Sequence, residues 1–223
     1  MKKIQLSVMI LTAFLIGLSA FNNPKKASNG LGNNSPTVNN ITIGSPDVEK
    51  LHTNMRKLWE DHITWTRNVI LCLVDNLPGS DLAVKRLLRN QDDIGDAIKP
   101  YYGDAAGKKL TDLLHDHITI SADVVKAAKV NDKKALEDAN EKWYNNADQI
   151  SDFLSKANPS WKLEDIKMMM HDHLKLTTEE AIARIKKDYV ADIKAYDNVH
   201  DEILKMADML SDGIVKQFPD KFK

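Results

Sequence analysis

From residue 47 onward apolar positions return every three or four residues, and no useful stretch alternates apolar and polar positions as a strand does. One stripe runs Leu51, Met55, Leu58, His62, Val69, Leu73. A second runs Leu110, Leu113, His117, Ile120, Val124, Ala128, and a third Leu163, Ile166, Met170, His173, Thr177, Ala181, Ile185. Proline is costly inside helices, so Pro46, Pro78, Pro100, Pro159 and Pro219 are expected at boundaries. Ser45 or Asp47, Ser80, Asp104 and Ser160 suit N-caps. The pattern predicts an all-α antiparallel bundle of about six helices, over 47–75, 80–99, 104–130, 132–157, 160–186 and 188–217.

A repeat of about 55 residues organises these helices. Asp61-His62-Ile63-Thr64-Trp65-Thr66 recurs as Asp116-His117-Ile118-Thr119-Ile120-Ser121 and again as Asp172-His173-Leu174-Lys175-Leu176-Thr177. Each histidine is followed 14 residues later by an expected turn, at Asn76, Asn131 and Lys187. Three helical hairpins therefore place one histidine each at the same height on their first helix.

Positions i and i+2 of a helix lie about 200° apart, so His62, His117 and His173 on the apolar stripes turn His115 and His171 outward. The hydroxyls one turn later, Thr66, Ser121 and Thr177, share the inner face and are expected to bond the rings. On the returning helices Asn90 and Asn146 continue apolar stripes, and Tyr196 and His200 join Ile193, Ile203 and Leu204. A polar layer across mid-bundle is predicted. Its metal reading makes His62, His117, His173 and His200 ligands of zinc, iron or copper. Its architectural reading is a self-satisfied hydrogen-bond layer that sets helix register. Met168-Met169-Met170 beside His171 and His173 fits a copper site chemically, but methionine at helical spacing is a routine core filler and that reading is favoured.

Composition narrows the partners. The 223 residues carry 31 basic and 32 acidic side chains, a net charge of −1, which supplies no basic excess for gripping nucleic acid. A single cysteine excludes an internal disulfide framework. No glycine-rich loop follows a strand, so no nucleotide site is expected, and no nucleophile stands on a recognisable elbow. Lys2 and Lys3 precede an apolar run from Val8 to Leu18, closed by Ser19 and Ala20, the pattern of a secretory signal over residues 1–20. Residues 21–46 hold seven Asn, three Gly, three Pro and three Ser and read as a tether, leaving 47–219 for the bundle and 220–223 as a tail. An extracytoplasmic location follows from that signal.

Several phrases carry a resemblance: Leu58-Trp59-Glu60-Asp61-His62 with Trp65-Thr66-Arg67, Arg89-Asn90, Lys99-Pro100-Tyr101-Tyr102-Gly103, Lys142-Trp143-Tyr144 with Asn146-Ala147-Asp148, and Met206-Ala207-Asp208-Met209. Over roughly residues 50–219 the chain resembles a group of bacterial all-helical proteins of unassigned function, some labelled acetylglutamate kinase or glycosyltransferase. Both labels imply nucleotide-binding α/β architecture, which needs strands that this pattern lacks. The residues themselves leave three function classes: a binding protein with a metal, small ligand or protein partner, a structural or interaction module, and a metal-dependent hydrolase or oxidase.

Overall fold

The computed structural model describes residues 45–223. The signal expected at 1–20 and nearly all of the tether lie outside the described residues. Six α-helices are present among them: α1 Pro46–Asp75, α2 Ser80–Tyr102, α3 Asp104–Lys129, α4 Lys133–Ala157, α5 Leu163–Ile185 and α6 Tyr189–Gln217. A 3-10 turn at Pro219–Phe222 follows. The molecule is an all-α bundle, and no helix among the described residues is long and apolar enough to cross a membrane.

Local chemistry explains the ends. Ser45, Asp132 and Asp188 accept hydrogen bonds from the first-turn amides of Val48, Ala135 and Ala191. The chain reverses through left-handed backbone at Asn76, Asn131 and Lys187, with φ of 55°, 55° and 60°. These are the three positions that the repeat marks as turns. Two boundaries and two caps differ from expectation. Helix α2 continues through Pro100 to Tyr102, because a proline this near a C-terminus removes one amide donor while Gly103 N–H still closes onto Lys99 O at 2.9 Å. Gly79 and Gly103 occupy the cap positions, and Ser80 and Asp104 open the first turns instead. Helix α5 starts at Leu163, since Ser160 N–H is taken by Asn158 Oδ1 at 2.8 Å in a turn that precedes it.

The hairpins α1–α2, α3–α4 and α5–α6 close into a ring, with α6 packed on α1. Helices α1, α3 and α5 also touch one another and form an inner triangle; α2, α4 and α6 fill the outer grooves between them. The first helix of every hairpin is thus central. Helices α2 and α3 approach backbone to backbone: a Cβ on Gly95 would stand 2.7 Å from Gly107 O, and one on Gly107 would stand 2.7 Å from Gly95 O.

The core is uneven along its length. Away from the hairpin turns, Met55, Trp59, Ile94, Leu114, Met170 and Met206 interlock around a void of only about 20 Å³. Because a carbonyl must move to admit a methyl group at the close approach, Gly95→Ala should destabilise the bundle by about 1–3 kcal/mol. Urea unfolding measures this; an unchanged midpoint would contradict the close packing of α2 on α3.

Candidate functional site

The inner triangle brings the three repeated histidines together. His62, His117 and His173 are buried, with His173 central: its ring centroid lies 5.7 Å from that of His62 and 6.3 Å from that of His117. Each ring turns Nδ1 toward a polar side chain 29 residues later on the same hairpin: Gln91 Nε2 at 3.2 Å, Asn146 Oδ1 at 2.7 Å and Glu202 Oε2 at 3.2 Å. The amides are themselves fixed by backbone. Asn90 Nδ2 donates to Leu58 O and Asn146 Nδ2 to Leu113 O, both at 3.0 Å, each carbonyl one turn before a layer histidine.

These bonds assign the ring proton of His117. Asn146 presents oxygen, so His117 carries its proton on Nδ1; its Nε2 lone pair accepts the Trp143 indole N–H at 3.1 Å. Both nitrogens of His117 are therefore occupied by protein. Gln91 Nε2 has two hydrogens and three neighbours, Leu87 O at 2.9 Å, Asn90 Oδ1 at 3.1 Å and His62 Nδ1 at 3.2 Å, so its contact fixes the His62 ring in place without assigning its proton. Burial, with His173 nearby, holds His117 down at about 3. Burial, His173 and His117 likewise hold His62 well below its ordinary range, against a weaker opposing bond from Gln91. Among the described residues no group of three or more His, Cys, Asp or Glu is arranged to hold a metal ion.

Other expected members stand elsewhere. Thr66 and Thr177 hydroxyls donate to the carbonyls of His62 and His173 at 2.8 and 2.9 Å, and Ser121 to Ile118 O at 2.8 Å, so none bonds a ring. Side chains lean toward the helix N-terminus, which carries each ring away from the residue one turn later. Asn90 touches Leu58 and Gln91, leaving the ring contact to Gln91. Tyr196 and His200 lie on the flank of α6, Tyr196 under the Arg67 guanidinium and His200 at 3.4 Å from Glu60; the inward face runs Asp192, Ala195, Val199, Ile203 and Met206. Met168 is exposed and only Met170 of that run is buried. His115 and His171 do face outward, paired to Asp92 at 3.0 Å and Asp148 at 2.9 Å.

Beyond the layer, toward the hairpin turns, the bundle is hollow. A cavity of about 140 Å³ lies among α1, α2, α3, α4 and α5, with Thr66, Ser121, Thr177 and Trp143 on its wall. Small side chains leave it open: Ala122, Ala128 and Ala181 stand where the opposite half carries Met, Leu and Trp. Trp143 joins the two features, since its ring lines the cavity while its N–H holds His117.

An ion cluster that the sequence did not flag closes the α1–α5–α6 side. Glu180 and Asp192, each 1% exposed, share Arg67 at 2.6 and 2.9 Å, and Arg184 reaches Asp192 at 3.4 Å. Burial pushes the Glu180 carboxyl up to about 7 despite Arg67. The sequence signal is a pair of acids at inward positions, Glu180 beside Ala181 and Asp192 three residues before Ala195.

These shifts set opposing pH dependences. Unfolded, each histidine takes a proton near pH 6.5, whereas folded His117 resists until about 3. The stability it contributes is present above about pH 6.5 and lost as pH falls toward 3, on the order of 5 kcal/mol in all. Glu180 runs the other way: protonated in the fold up to about 7 but only near 4.5 when unfolded, it contributes stability below 4.5 that disappears as pH rises through 7. Glu180→Gln should therefore steepen the loss of stability between pH 7 and pH 5, read as the shift in urea midpoint; a slope equal to or shallower than that of the unaltered chain would contradict the assignment. Comparison with family models, curated proteins and solved structures finds no match to this chain, and its own geometry must carry the functional reading.

Proposed function

We propose that this chain is a small-molecule binding protein: the hollow half of the bundle receives the ligand and the histidine layer forms its rigid floor. The observation that carries this reading is the contrast across the layer, a cavity of about 140 Å³ on one side and about 20 Å³ on the other. A void of this size in an otherwise filled core costs on the order of 3 kcal/mol. Engineered apolar cavities near 150 Å³ stay dry and bind molecules such as benzene. One larger side chain at Ala122 or Ala181 would close the space. With residues 1–20 read as a secretory signal, the ligand would be met outside the cytoplasm.

A transition-metal site is the second reading, favoured by the 5.7 Å separation of the His62 and His173 rings and by the neutral state of His62. An open coordination position there would be the requirement for metal-dependent hydrolysis or oxidation. Occupancy of His117 by Asn146 and Trp143 favours the floor role over the metal role.

Two measurements separate these readings. Ala181→Leu should raise the unfolding free energy by about 1–2 kcal/mol and abolish binding of toluene, followed by calorimetry; a destabilised variant, or one that still binds, would count against a ligand cavity. Elemental analysis of untagged protein purified without chelator should find less than about a tenth of an equivalent of any transition metal, with no thermal shift on adding one. A stoichiometric metal lost in His62→Ala and His173→Ala would install the metal reading instead.

A further inference from the structure

Resting on the binding reading above, we infer that the hollow takes an uncharged, ring-sized, largely apolar molecule whose one polar group donates a hydrogen bond, a phenol or indole in chemical class. No charged side chain lines the cavity. An ion entering it would lose its hydration without gaining a counter-charge, which disfavours carboxylates and ammonium compounds. The volume, about 140 Å³, matches one aromatic ring with a small substituent.

The polarity of the polar group follows from where the wall's own protons go. Thr66, Ser121, Thr177 and Thr178 all reach the wall, and all four hydroxyls donate to carbonyls of their own helices, at 2.8 to 2.9 Å. Their hydrogens are spent, but each oxygen keeps lone pairs. The Trp143 N–H is likewise committed to His117, so this residue offers the cavity only its face. Inside the hollow these hydroxyls therefore accept hydrogen bonds and do not donate them. A hydroxyl or ring N–H finds a partner there; a carbonyl or ether finds none except Asn140, the one side-chain amide on the wall.

Entry lies between α4 and α5. These two helices make the sparsest contact of any neighbours in the ring. Asn140 and Leu136 on one side and Thr178 and Ile182 on the other are all partly exposed while lining the cavity, Ile182 by 39%.

The test is calorimetric titration of the full chain with phenol, toluene and benzoate. Phenol is expected to bind about fivefold more tightly than toluene, the worth of one hydrogen bond, and benzoate at least a hundredfold more weakly than phenol. Thr177→Val, which replaces the hydroxyl by a methyl group, should lower phenol affinity and leave toluene unchanged; Ser121→Ala gives the same comparison should Thr177→Val fail to fold. Toluene bound as tightly as phenol would overturn the donor inference while leaving the cavity a binding site. Benzoate bound as well as phenol would overturn the neutrality inference. Absence of binding by all three probes would overturn the binding reading itself.

Discussion

His62 and His117 are buried with their rings close to that of His173, and burial holds both toward the neutral form; much of the molecule follows from that constraint. Each ring needs a hydrogen-bond partner, and the partner must come from a neighbouring helix. The return helix of each hairpin supplies it 29 residues later, which fixes the register of α2 on α1, α4 on α3 and α6 on α5. A slide of one turn on any return helix would move the partner about 5 Å and orphan both groups. Apolar contacts alone tolerate such slides better, because one aliphatic side chain replaces another at modest cost.

The layer also partitions the core. On the side to which the rings lean, large apolar side chains meet in close packing. On the other side the hydroxyls that follow each histidine curl back onto their own backbones, and alanines take the inward positions of α3 and α5. Hydroxyls with committed protons and small apolar residues do not fill a triangular interior, and the result is a cavity bounded by polar oxygen yet free of charge. The Arg67–Glu180–Asp192 cluster occupies the remaining side, where its polar groups pair with each other and stay off the cavity wall.

The fold was legible because one periodicity controlled it. Helix number, the three turns and the inward face of α1, α3 and α5 all follow from apolar spacing and a repeated Asp-His phrase. Misreadings occurred where two faces of a helix were both plausible. On α6, Ile193 and Ile203 lie on different sides of the helix; a stripe drawn through Tyr196 and His200 misses the inward run through Asp192, Ala195 and Val199, because Asp192 disguises it as a polar face. Gln91 was hidden beside Asn90, since two adjacent amides share one task there. The cavity was not legible at all. Whether small residues on five helices leave a void depends on interhelix distances, and no spacing along one chain encodes those.

The three copies keep their geometry while varying their chemistry, and the variation is informative. Gln91 presents an amide nitrogen to its ring, Asn146 an amide oxygen and Glu202 a carboxyl oxygen. Only on His117 do the partners assign the ring proton, to Nδ1, because Trp143 donates to its Nε2. A metal site of three equivalent ligands would call for the same nitrogen free in every copy, held by equivalent outer partners. Here Trp143 fills the second nitrogen of His117, while the first repeat offers no indole at the matching position, which is Leu88. Three rings with three kinds of partner behave as a floor in which His117 has both nitrogens bonded to protein. The tryptophan that completes one of them also lines the hollow above, so the same residue that silences His117 as a ligand shapes the cavity wall.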